Sequence, residues 1–359
     1  MRLLLTAFLL GLALSPAGAT QIDFTPHVDG LISNYIRPSM KAFEQQANRL
    51  PDAVSHVCND PSKANRAAFA ETLGAVASAF GKVSFLRYGP MLDEDRLNRI
   101  AFLPDPRGIA QRQINKFLAS DEARSITAAT LKDKSVALQG LTALELIAFD
   151  QDTGVTLGQP SPDADIRCLY SKAIAGNVAA IAADLKTAWD DPTGYSSVLL
   201  EHGDANPVHK SGQEAMETVF NALPVALIIL KDQHILPVIG KGKDAAKPSR
   251  LPFSRSGNGL TYIAASLSGV QGALKSLQVE GELDDDYRWV PGSIDFELRN
   301  AVALVSKTTP PLRQTFQTSG AFETLSALVL AIDSINTTLT KELSAALQLT
   351  AGFNALDGD

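Results

Sequence analysis

Positive charge is scarce in this chain. It has 32 Lys and Arg against 39 Asp and Glu, a formal net charge of −7. That balance excludes a nucleic-acid backbone and a polybasic membrane contact, because both need a cationic face. Cysteine is nearly absent, with Cys58 and Cys168 alone. Neither sits in a CxxC or beside a histidine cluster, so a cysteine-based metal centre is excluded. There is no G-x-S-x-G elbow, no Walker motif, no dinucleotide glycine pattern and no H-E-x-x-H. Strict apolar/polar alternation is also missing, so no stretch requires a sheet. Beyond the first residues, no uncharged apolar run is long enough to span a bilayer.

What is present fits a globular protein. The 359 residues are 45% hydrophobic and 20% charged, enough for two ordinary domains or one large one. Met1-Arg2, the apolar run Leu3 to Leu14 and Ala17-Gly18-Ala19 read as a secretory signal over 1–19, with Thr20 opening the mature chain. The expected location is the periplasm or cell envelope. In an oxidising compartment Cys58 and Cys168 are expected to pair, two separate buried thiols being the alternative. The chain-entropy model values a loop of that size at roughly 4.7 kcal/mol.

The mature chain reads as all-α, with two helical-bundle domains (20–200 and 201–359) and a cleft between them. Thr25-Pro26, Asp60-Pro61 and Ser161-Pro162 each resemble an N-cap followed by proline at the first helical turn. Tyr88-Gly89-Pro90 and Asp191-Pro192-Thr193-Gly194 read as stops, and the join is placed between Asp190 and Pro207. Further helices are expected at Lys210–Ile235, kinked by Pro224, at Leu260–Val279, Ser293–Lys307 and Ala321–Leu349. A basic loop lies between Pro237 and Gly259, and an acidic one precedes Trp289.

The organising stretch is Ser135 to Phe149, SVALQGLTALELIAF. Its apolar residues go round every side of a helical wheel, which predicts a helix buried on all faces. Gly140 would cost such a helix about 1 kcal/mol unless another backbone passes close by. Glu145 is its one ionisable residue. A carboxylate there needs a cation, a metal or hydrogen-bond donors, or it becomes protonated. It is therefore a ligand candidate or a structural partner of a neighbouring arginine. Weaker candidates are His202 with His209 as a metal loop, Asp284 to Asp286 as a cation site, and the basic loop as an anion clamp. For each, a solvated surface is the plainer reading.

Four segments carry a resemblance. GLTALE (Gly140–Glu145) resembles the G-x-H-x-x-E motif of the imelysin-like family, with Thr142 in the histidine's place. FLPDPRGIAQRQI (Phe102–Ile114), RLPFSRSGNGLTYIAASLSGVQGAL (Arg250–Leu274) and LTAGFNALDGD (Leu349–Asp359) are similar to further family segments, in family order. The resemblance implies an exported all-α protein linked to iron or haem acquisition, and in some members a metallopeptidase. Threonine is a poor substitute for imidazole as a zinc or iron ligand. The reading is therefore a non-enzymatic binding protein, with a metallopeptidase or a scaffold of an outer-membrane uptake receptor as alternatives. Glu145 is the metal candidate, iron or another divalent ion. Gln139, Thr142, Arg107, Gln113, Arg255, Asn354 and Asp357 are the cleft candidates that the resemblance implies.

Overall fold

The computed structural model describes residues 22–150, 154–308 and 316–350. The expected signal segment and the C-terminal candidates Asn354 and Asp357 lie outside them. The fold is all-α, as expected, 73% helical with 1% strand. The strand is a two-residue antiparallel pair, Phe149–Asp150 with Gly154–Val155.

Helices Arg37–Ala47, Leu50–Asn59, Lys63–Val83 and Ala164–Asp190 pack on one another as one group. Helices Gly212–Ile228, Gly259–Leu277, Val290–Ser306 and Ala321–Thr337 form a second. The groups are joined where Lys63–Val83 lies along Gly259–Leu277. Close approach there depends on Gly269, where a Cβ would stand 2.6 Å from the Lys82 carbonyl oxygen. The Thr25–Leu31 helix packs against the second group, although it opens the described chain. One continuous apolar core runs through both groups. Gly212–Ile239 is long and apolar enough to cross a membrane, but it is a core element, with Met216, Val219, Leu223 and Leu227 buried.

Several boundaries differ from expectation for local reasons. The Lys63–Val83 helix is capped by Ser62, whose hydroxyl accepts from the Asn65 amide at 3.4 Å, rather than by Asp60. The segment from Lys210 starts its helix at Gly212 and widens after Ile228 into a π-helix, Ile229–Ile235. π-Helical turns also interrupt the first helix, at Ile32–Ile36, and the last, at Thr338–Leu343.

Cys58 and Cys168 are bonded, across a sequence separation of 110. The bond ties the end of Leu50–Asn59 to the Ala164–Asp190 helix. In this way it fixes the two elements that flank the central segment in sequence.

Candidate functional site

The central stretch is not one helix. Val136–Leu138 is a short 3-10 turn, Gln139 is extended, and the α-helix runs Gly140–Ala148. The break is forced at Gly140, which has φ +75° and lies against another chain segment. A Cβ there would stand 2.2 Å from the Ile100 carbonyl oxygen. The anticipated close passage of a second backbone is therefore real, and it sets where the helix begins.

Gln139 is fully buried just before that start. Its Oε1 accepts from Arg99 Nε at 3.2 Å and from Asn177 Nδ2 at 2.9 Å. Its Nε2 donates to the Lys134 carbonyl at 2.7 Å. Arg99 in turn donates to Asn177 Oδ1 and pairs with Glu94 at 3.4 Å. This closed network is what holds the helix start in place. One turn on, the Thr142 hydroxyl accepts from the Phe102 amide at 3.2 Å. Thr142 thus pins the Phe102–Gly108 turn, which makes one wall of a cavity.

Glu145 is buried, 5% exposed, and reaches the same cavity. Its Oε1 accepts from the Ser256 amide at 2.8 Å and the Ser256 hydroxyl at 2.7 Å. These two donors, an amide and a hydroxyl, come from one residue of the loop that borders the cavity. Asn258 Nδ2 donates to the Ser256 hydroxyl at 3.0 Å, and that hydroxyl's own proton is shared between the carboxylate at 2.7 Å and the Phe253 carbonyl at 3.2 Å. The loop that delivers Ser256 is strained. Phe253 is non-glycine with φ +52°, a conformation costing roughly 1–2 kcal/mol. Burial of its ring against Tyr262, 5.3 Å between centroids, offsets that cost.

The cavity encloses about 440 Å³, the size of a small-molecule site. Its walls are the Phe102–Gly108 turn, the Thr142–Leu146 face, the Ser249–Arg255 loop and the Asp232–Pro237 segment. Most of the lining is apolar, including Phe102, Leu103, Leu146, Leu251 and Phe253. Arg255 crosses one edge, donating to Gln111 Oε1 at 2.7 Å and to the Phe149 carbonyl at 3.4 Å. Asp105 is spent as a cap, its two oxygens accepting from the Ile109 and Ala110 amides at 2.8 Å.

The structure therefore brings together Thr142, Glu145 and Arg255. Gln139 lies behind the wall, in the buried network. Arg107 is exposed and Gln113 half-buried, and neither lines the cavity. His202 and His209 have separate partners. His202 meets the Thr25 hydroxyl, while His209 meets the Val198 carbonyl and the Thr218 hydroxyl. Asp285 pairs with Arg288 at 2.7 Å, and Lys243 of the basic loop with Glu323 at 2.5 Å. Among the described residues, no group of three or more His, Cys, Asp and Glu is placed to hold a metal ion.

Sequence reasoning missed the fourth wall. Asp232, Gln233 and His234 sit on the π-helix, and a histidine in an apolar segment gave no spacing signal. His234 is 3% exposed, and neither ring nitrogen has a hydrogen bond. Burial, aided by the nearby Arg87 charge, pushes its pKa down to about 3. The imidazole is accordingly neutral in any ordinary compartment.

The imelysin family model, of peptidase class M75, matches residues 36–347. The chain belongs to the imelysin family. An imelysin-like protein from Psychrobacter arcticum 273-4 shares its fold, with a TM-score of 0.76 at 19% identity, over 92% of this chain and 97% of that one. A protein from Parabacteroides distasonis ATCC 8503, assigned as an iron-regulated protein A precursor, gives a TM-score of 0.61 at 16% identity, over 90% and 97%. No curated protein matches the sequence. At these identities the two structures speak for the fold, and the family match speaks for membership.

Proposed function

We propose that this imelysin-family chain is an exported binding protein of the cell envelope that takes up an iron compound or haem, and that it is not a peptidase. The observation that carries the reading is the cavity. It is largely apolar, of small-molecule size, and has a buried carboxylate that accepts from the Ser256 amide and hydroxyl. A largely apolar cavity with placed polar groups suits recognition and release of a ligand. A hydrolytic zinc site would need three protein ligands and an open position. The family resemblance puts Thr142 at the motif's histidine position, and its hydroxyl is already engaged by the Phe102 amide. Iron enters the reading through the iron-regulated neighbour and the family resemblance, and export through the N-terminal signal pattern.

The test is elemental analysis of protein purified from the periplasm, alongside Glu145→Gln. Stoichiometric iron that falls in the variant is the expected result. Protein free of iron after growth in iron-replete medium, and unable to take up ferric ion or hemin, would leave the scaffold reading. Cleavage of a protein substrate that disappears in Glu145→Gln would replace binding with peptidase activity.

A further inference from the structure

The π-helical wall allows the ligand class of this same cavity to be narrowed, an inference that rests on the cavity being the binding site. A π-helix within a longer helix often marks a functional position, because the extra residue re-aims the side chains around it. Here Ile229–Ile235 places three consecutive polar residues, Asp232, Gln233 and His234, along one wall of the cavity. His234 is the unusual one. Most buried polar side chains are hydrogen-bonded, and a group with neither nitrogen satisfied calls for a reason. Its ring is 5.7 Å from the Tyr262 ring, a contact that holds it by shape alone.

A neutral imidazole with a free lone pair is a good ligand for a transition metal. A bare ion, however, needs three or four protein donors, and the described residues offer no such group around the cavity. The shortage disappears if the metal arrives with its own ligands and one open coordination position. The walls fit such a guest, since Phe102, Leu103, Leu146 and Phe253 would bury an apolar chelate ring. Arg250 and Arg255 stand on the bordering loop, where acidic substituents of the chelate would meet charge. We infer that the cavity takes a transition metal already bound in an apolar, planar chelate, and that His234 supplies the protein's ligand to that metal. The ring swings into the cavity to do so, and no hydrogen bond to either nitrogen opposes the swing.

The experiment is titration of the purified full chain at neutral pH with hemin, with metal-free protoporphyrin and with uncomplexed ferric ion. It uses the native protein, His234→Ala and His234→Met, with circular dichroism of each as the check on folding. Hemin should bind the native chain with the Soret shift of an imidazole-ligated iron. His234→Ala should lose that shift and weaken at least about tenfold. His234→Met should restore affinity with a different spectrum, because a thioether also binds the iron. Metal-free protoporphyrin should bind less tightly and be indifferent to residue 234. Equal hemin affinity and an unchanged spectrum in His234→Ala would overturn the inference, as would equal affinity for the metal-free ring. Binding of uncomplexed ferric ion without hemin would also overturn it and leave the iron-binding reading standing. Binding of neither would remove both.

Discussion

The two ends of the Gly140–Ala148 helix make opposite use of buried polarity. At the start, Gln139, Arg99 and Asn177 satisfy one another in a network closed to solvent. Toward the other end, Glu145 accepts from the Ser256 amide and hydroxyl of a loop, and neither ring nitrogen of His234 across the cavity has a hydrogen bond. Both regions sit in one continuous core. The contrast separates scaffold from site without any appeal to motif. Where every polar atom is met, a residue is there to hold shape. Buried atoms without a partner also occur in the scaffold, at Tyr88, Ser171 and Trp189, but those of His234 and Arg255 belong to cavity-lining residues, where a ligand can repay the cost.

The sharpest way to break the contrast is at the structural end. Gly140→Ala would force a side chain into left-handed backbone and into the Ile100 and Arg99 carbonyls. Unfavourable φ and overpacking together should destabilise the protein by about 2–5 kcal/mol. Urea unfolding that moves by less than ~1 kcal/mol would mean that the helix start can slide. Gln139→Leu keeps volume but strips partners from Arg99, Asn177 and the Lys134 carbonyl. About 2–3 kcal/mol should be lost, with ligand binding changed only through stability.

Much of this was legible before any coordinates. The all-α fold followed from helical patterning punctuated by N-cap and proline pairs, and the disulfide from two cysteines in a chain that reads as exported. Glycine at 140 announced a backbone crossing because nothing else excuses it in a buried helix. Other features were hidden for physical reasons. A wheel reading cannot see that Gln139 is extended, since its amide belongs to a tertiary network with Arg99 and Asn177. Arg107 lies exposed on the cavity turn and Gln113 on the Ile109–Leu118 helix that follows, and neither joins the lining. His234 could not be found, because a π-helix shifts the face that 3.6-residue periodicity assigns.

At the cavity end, smaller stability effects are expected with larger binding effects. Glu145→Gln retains an oxygen that can accept from Ser256, so stability should stay within about 1 kcal/mol of the native chain. Iron content or hemin affinity should fall all the same. A loss of several kcal/mol instead would make Glu145 one more structural member and erase the difference between the two ends.

The smallest effect at neutral pH should come from His234→Leu, which replaces an unpartnered polar ring with an apolar group and should change stability by less than about 1 kcal/mol. Its signature lies in acid. The native-state pKa of His234 is depressed to about 3 by burial and by Arg87, against 6.5 for the free side chain. Below pH 6.5 the unfolded chain takes up a proton that the folded chain refuses, so this residue makes the native protein less stable as pH falls. The expected slope is about 1.4 kcal/mol per pH unit, continuing until the folded pKa is reached. Carboxylates titrate in the same range, so the informative quantity is the difference between the native chain and the variant. Between pH 6.5 and pH 4.5 the native protein should lose about 2–3 kcal/mol more than His234→Leu in urea unfolding. Parallel curves would mean that His234 has a proton partner in solution, and the contrast between a satisfied and an unsatisfied end would then fail at its defining residue.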